Sequence, residues 1–123
     1  MRPVEPKGFD DVARSLATGR VQGNDAVTGS ICDAILTPGA GDLTFPVMKR
    51  LCGPGLVVSD EDALRAMALA FLRLKITLEP GGAVALAAAL FHMEGAGDVI
   101  AVASGGNVDQ AMFEMASSCI GEI

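Results

Sequence analysis

From Ala83 to Met93 the chain reads Ala-Val-Ala-Leu-Ala-Ala-Ala-Leu-Phe-His-Met, a helical stretch so rich in alanine that its backbone can lie close against neighbours. Glu79-Pro80-Gly81-Gly82 introduces it, Gly95 to Gly97 form a turn, and Val99-Ile100-Ala101-Val102-Ala103 then reads as a buried strand. A small-residue helix followed at once by an apolar strand points to helices layered on a parallel sheet.

The rest of the sequence repeats this alternation. Gly8 to Ala17 reads as a helix with Asp10 and Asp11 in its first turn, where negative charge suits the helix dipole. Thr18 to Gly29 is a polar loop, and the apolar Ile31 to Leu36 stops at Thr37-Pro38-Gly39. A second helix is expected over Leu43 to Leu51 with Asp42 as its N-cap, followed by the stop signal Cys52-Gly53-Pro54-Gly55 and a short strand, Leu56-Val57-Val58. Ser59-Asp60-Glu61-Asp62 has the form of a capping box and opens a helix to about Lys75. That helix is apolar on most of its surface, so more than one side should be buried. Asp109 to Ser118 form the last helix. The expected fold is α/β in three layers, with parallel strands and flanking helices, and no repeat or linker divides residues 1–123.

Composition narrows the function. Trp and Tyr are absent, so the core must be built from Ala, Leu, Val, Ile and Met. A formal charge of −6 speaks against a nucleic-acid partner, since phosphate binding needs a basic face. The apolar stretch Ala63 to Leu74 contains Arg65 and Arg73 and is too short to span a bilayer. Cys32, Cys52 and Cys119 are odd in number and form no Cys-x-x-Cys pair, which suits reduced thiols in a cytoplasmic protein.

Two short constellations carry chemistry. Ser104-Gly105-Gly106-Asn107-Val108-Asp109 lies between the last predicted strand and the last helix, where open α/β sheets bind ligands. Its glycines let backbone approach a planar ring and Ser104 offers one hydroxyl; the plain alternative is an ordinary tight turn. Glu5-Pro6-Lys7-Gly8-Phe9-Asp10-Asp11 gathers carboxylates that either hold a hard cation or decorate a helix start. His92, the only histidine, reads as a packing or dipole residue, and Asp60 to Asp62 as a helix start without chemistry.

Taken in order, Ser30-Ile31-Cys32-Asp33-Ala34, Gly41-Asp42-Leu43-Thr44-Phe45, Val57-Val58-Ser59-Asp60-Glu61, Glu79-Pro80-Gly81-Gly82-Ala83 and Ser104-Gly105-Gly106-Asn107-Val108-Asp109 resemble the C-terminal part of fold-type-II pyridoxal-phosphate enzymes. Among these the sequence is most similar to threonine dehydratases and serine racemases, from roughly Val4 to Phe113. The resemblance implies a tryptophan-synthase-β-like fold and pyridoxal 5′-phosphate as cofactor. It implies that Ser104 hydrogen-bonds the pyridine nitrogen, that Gly105 and Gly106 lie beside the ring, and that Glu79 is near its face. Ala34 stands where relatives often have Gly, with a carbonyl close to the cofactor. A hydroxyl rather than a carboxylate at the ring nitrogen leaves it largely neutral, so elimination from the β-carbon can compete. The resemblance further implies a divalent cation (Mg²⁺ or Ca²⁺, or Mn²⁺) held by the Glu5 carboxylate, the Phe9 carbonyl and the Asp11 carboxylate.

The Schiff-base lysine and the glycine-rich phosphate loop of such enzymes have no counterpart here, since Lys7, Lys49 and Lys75 lie in unrelated contexts. The expectation is therefore a partial domain. It would complete an L-threonine or L-serine deaminating enzyme, commonly a homodimer, together with an N-terminal part. The alternatives are a serine racemase or 3-hydroxyaspartate dehydratase relative, or a non-catalytic remnant serving as a dimerisation or metal-binding module.

Overall fold

The computed structural model describes residues 1–93, 95 and 97–122. Strand β1 (Val4–Pro6) pairs in parallel with β2 (Leu56–Val58), Val4 opposite Leu56 and Pro6 opposite Val58. The ladder extends at both ends, Leu56 N–H donating to the Pro3 carbonyl and Lys7 N–H to the Val58 carbonyl, each at 2.8 Å. Between the strands lie α1 (Asp11–Thr18), a 3₁₀ turn (Asp33–Ile35) and α2 (Phe45–Leu51). After β2 come α3 (Asp60–Leu69), α4 (Pro80–Phe91) and α5 (Gln110–Ser118). Helix α4 packs against both strands and against α3, and α5 packs on α3. The result is an α/β stack with parallel strands, as the alternation in the sequence predicts.

The helix starts follow local chemistry. Ser59 Oγ accepts from Asp62 N–H and the Asp62 carboxylate accepts from Ser59 N–H, both at 3.1 Å, so the capping box is complete. Helix α3 ends in a π-helical turn over Ala70–Leu74, closed by Lys75 at φ 61°, so the helical run reaches the expected end with its last turn widened. Helix α4 begins three residues before the expected Ala83, because Pro80 fits a first turn that has no use for its missing N–H. Helix α1 begins three residues after the expected Gly8, which sits at φ 86° and keeps the chain in a turn. The predicted cap Asp42 is displaced in the same way: Thr44 occupies the N-cap of α2 and Pro46 its first turn.

Ala63, Ala66, Met67 and Ala70 of α3 and Ala83, Val84, Ala87 and Ala88 of α4 are buried together, with Cys32, Val58 and Ala116 around them. Alanine on both facing surfaces allows the close approach that the composition implied. The predicted buried strand Val99–Ala103 is a correction. It pairs with no strand among the described residues and is exposed, Ile100 at 94 % and Val102 at 67 %. A lone extended segment gains no ladder unless a partner lies beside it. The predicted turn over Gly95–Gly97 includes Ala96 and so lies outside the described residues.

Candidate functional site

The start of α4 gathers the residues singled out for a planar ligand. Glu79 N–H donates to the Gly105 carbonyl at 3.0 Å, which pins the Ser104–Asn107 loop over the first turn of the helix. No side chain larger than hydrogen fits this junction. A Cβ on Gly82 would collide with the Gly105 backbone, one on Gly105 with the Glu79 carboxylate, and one on Gly106 would lie 2.6 Å from the Thr77 carbonyl oxygen. On the other side of the helix start, a Cβ on Gly81 would rest 3.6 Å from that of Ala34 and 3.4 Å from Ile35 Cγ2. Ala34, Glu79, Gly105 and Gly106 thus converge from three separate segments.

Ser104 is exposed, makes no hydrogen bond among the described residues, and borders a groove of about 450 Å³. The walls of the groove are mostly aliphatic, from Ile35, Leu56, Val84, Ala88 and the segment Val99–Val102, and among the described residues no lysine lines it. A lone hydroxyl at the rim of an apolar groove, beside bare glycine backbone, can bind a flat heterocycle with one polar atom. Glu79 occupies the N-cap position of α4 but makes no capping hydrogen bond. Its carboxylate lies over Gly105 instead, so it faces the loop rather than the helix amides.

The second constellation assembles around the start of α1. Both oxygens of Glu5 accept helix amides, Oε1 from Val12 at 3.0 Å and Oε2 from Ala13 at 2.8 Å. Both amides belong to the first turn of α1, which has no preceding helical carbonyl to bond, and the Phe9 carbonyl, one residue before the N-cap Asp10, accepts no backbone hydrogen bond among the described residues. Asp11 is 1 % exposed; its Oδ1 accepts from Asn24 Nδ2 at 2.7 Å, while Oδ2 is buried with no partner among the described residues. Burial pushes the Glu5 carboxyl above its ordinary range, and the negative charges of Asp11 and Asp10 push in the same direction against the Val12 and Ala13 hydrogen bonds. Two carboxylates, one with an orphaned buried oxygen, and a backbone carbonyl are oxygen donors of the kind that a hard divalent cation takes. Among the described residues no three acidic, His or Cys side chains form a cage, so water would complete the shell.

The remaining acidic cluster is structural. Asp60 accepts from Ser30 Oγ at 2.5 Å and from Ile31 N–H at 3.2 Å, fastening the loop that leads to Ala34. His92 ends α4 with Nε2 2.9 Å from Asp62 Oδ2, a tie between two helix ends that reading it as a packing or dipole residue does not specify. Sequence reasoning also missed Asn24, whose amide meets Asp11, and Arg14, whose guanidinium meets Asn24, since nothing in the sequence marks either contact.

The chain has clear relatives among known proteins. The family model described as pyridoxal-phosphate dependent enzyme matches residues 1–105. A serine racemase of Oryza sativa subsp. indica is 40 % identical over 113 residues, covering 86 % of this chain and 33 % of the relative. Among solved structures, a threonine deaminase from T.th. superposes with a TM-score of 0.81 at 39 % identity, over 86 % of this chain and 39 % of that one. The maize serine racemase gives 0.78 at 35 % identity, over 98 % of this chain and 39 % of that one. The chain therefore spans about a third of the length of these curated relatives and about two-fifths of the solved chains.

Proposed function

Because the chain belongs to the pyridoxal-phosphate-dependent enzyme family, we propose that it forms the cofactor-ring wall of an amino-acid dehydratase that deaminates L-threonine or L-serine to a 2-oxo acid and ammonia. The observation that carries this is the Ser104 hydroxyl, without a hydrogen-bond partner among the described residues, at the rim of the aliphatic groove, next to glycines whose Cβ positions are filled by neighbouring backbone and carboxylate. The donor set fits the cofactor: a flat ring needs a surface without side chains and one polar contact at its nitrogen. When bound, pyridoxal phosphate supplies an electron-withdrawing ring that acidifies the α-carbon of an attached amino acid. Ser104 Oγ holds the ring nitrogen by a neutral hydrogen bond, without placing a full charge beside it. Gly105 and Gly106 admit the ring edge, Ala34 offers its carbonyl, and Glu79 presents a carboxylate across the loop. Ile35, Val84 and Leu56 keep water from the wall.

Glu5, the Phe9 carbonyl and Asp11 hold a divalent cation, Mg²⁺, Ca²⁺ or Mn²⁺, in this reading. A bound cation offsets the repulsion between the two carboxylates and satisfies Asp11 Oδ2. The lysine that bonds the cofactor and the glycine loop that takes its phosphate belong to a preceding segment, and the complete enzyme is a cytoplasmic homodimer. A serine racemase activity is the second reading, favoured by the names of the relatives at 36–40 % identity. The coding sequence adjoining the Met1 codon tests the proposal. An in-frame continuation with a lysine motif and a run of glycines supports it, and the completed enzyme should release ammonia from L-threonine or L-serine. A stop codon beside unrelated sequence, or a completed enzyme indifferent to Ser104→Ala, overturns it.

A further inference from the structure

The buried Asp11 carboxylate does not hold its own orientation. Its Oδ1 is fixed by Asn24 Nδ2 at 2.7 Å, and the second N–H of that amide donates to the Thr37 carbonyl at 2.8 Å. The Asn24 oxygen accepts from Arg14 Nη2 at 2.6 Å, and the same Nη2 donates to the Gly23 carbonyl at 2.9 Å. Asn24 N–H donates to the Pro38 carbonyl at 2.9 Å, and Gly23 bridges Gly39. The amide can point only one way. Turned over, its oxygen would face two acceptors, Asp11 and Thr37, and its NH₂ would face a guanidinium. A side chain fixed at every polar atom beside a carboxylate with one orphaned buried oxygen is the arrangement that aims a metal ligand.

We propose that Asn24 is the positioning residue of the cation site. Oriented by Arg14, it holds one oxygen of Asp11 so that the other faces the cation together with Glu5 and the Phe9 carbonyl. This inference rests on the cation reading above and adds the device that makes the site rigid. Arg14 serves it by holding the amide, although its own charge opposes a cation: it lies 3.6 Å from Asp10, beside the site. The two roles of Arg14 therefore predict opposite outcomes. Loss of its charge alone would tighten cation binding by Coulomb attraction, whereas loss of its grip on Asn24 weakens it.

Mn²⁺ binding to the full chain, read by the electron paramagnetic resonance of free Mn²⁺, separates them. Asn24→Ala is expected to weaken Mn²⁺ binding by about 10–100-fold, the usual effect of removing a partner of a metal ligand. Arg14→Gln is expected to weaken it as well. Gln22→Ala should bind as the unaltered chain does, because the Gln22 side chain reaches Thr18 and Arg20 rather than Asp11. Circular dichroism without metal checks that each variant is folded, and if Asn24→Ala is not, Arg14→Gln decides. Tighter binding by Arg14→Gln, or unchanged binding by a folded Asn24→Ala, overturns the positioning role while the cation site stands. An unaltered chain that binds no Mn²⁺ removes both.

Discussion

Gly82 shows how one hydrogen atom settles a site. Its missing side chain is where the Gly105 backbone passes, with the Gly105 nitrogen 2.8 Å from the position a Cβ would take. Backbone cannot step aside as a flexible side chain can, so Gly82→Ala should destabilise the fold by about 1–3 kcal/mol, measurable by urea denaturation. An unchanged midpoint would mean that the loop does not lie on α4. Cys32 is decided by burial in the same way. It is 0 % exposed, and burial raises its thiol to about 11, with Asp60 and Asp33 adding to the rise and the Ser30 hydrogen bond opposing it. With so little thiolate near neutral pH and no access, Cys32 should resist iodoacetamide under native conditions. Cys52 and Cys119, both partly exposed, should be alkylated first, and mass mapping of the adducts reads the order.

Element ends are where the charges act. The capping box at Ser59 predicts that Ser59→Ala costs about 1 kcal/mol, seen as an earlier thermal midpoint. Asp62 belongs to that box and also meets His92, joining the start of α3 to the end of α4. Burial alone would raise the Asp62 carboxyl, but hydrogen bonds from His92 and Ser59 outweigh it and hold the group below its ordinary value of 3.8. A carboxyl depressed in the folded state adds stability that is present above the unfolded value and is lost as pH falls through the folded one. The stability gap between the unaltered chain and Asp62→Asn should therefore close as pH drops below 3.8. Chemical denaturation along a pH series checks it; a gap that persists at the acid end would place the effect elsewhere.

The molecule as a whole leaves apolar surface uncovered. Val99, Ile100 and Val102 are exposed in an extended segment with no ladder partner among the described residues, and Leu43, Leu51 and Leu74 are exposed as well. An unpaired, aliphatic extended segment is a template for association. The isolated chain should therefore self-associate, and sedimentation velocity should show species heavier than one chain. A single sharp monomer peak at micromolar concentration would count against this.

Local pattern carried much of the layout. Strand β2, the capping box, the helical run to Lys75 and the alanine-rich helix depend on residues adjacent in the chain, so periodicity and cap chemistry alone made them readable. The pieces of the proposed ligand wall were legible as motifs, because Ser104-Gly105-Gly106 and Glu79-Pro80-Gly81-Gly82 each carry their own signature. Tertiary structure decided what those motifs meet. It set Gly105 against Gly82, Ala34 against Gly81, and the amide of Asn24 against a buried carboxylate thirteen residues away. It also left Val99–Ala103 without a strand partner among the described residues, although its composition is that of a buried strand. Hydrophobic periodicity states which face seeks cover, and only the assembled chain shows whether cover is there.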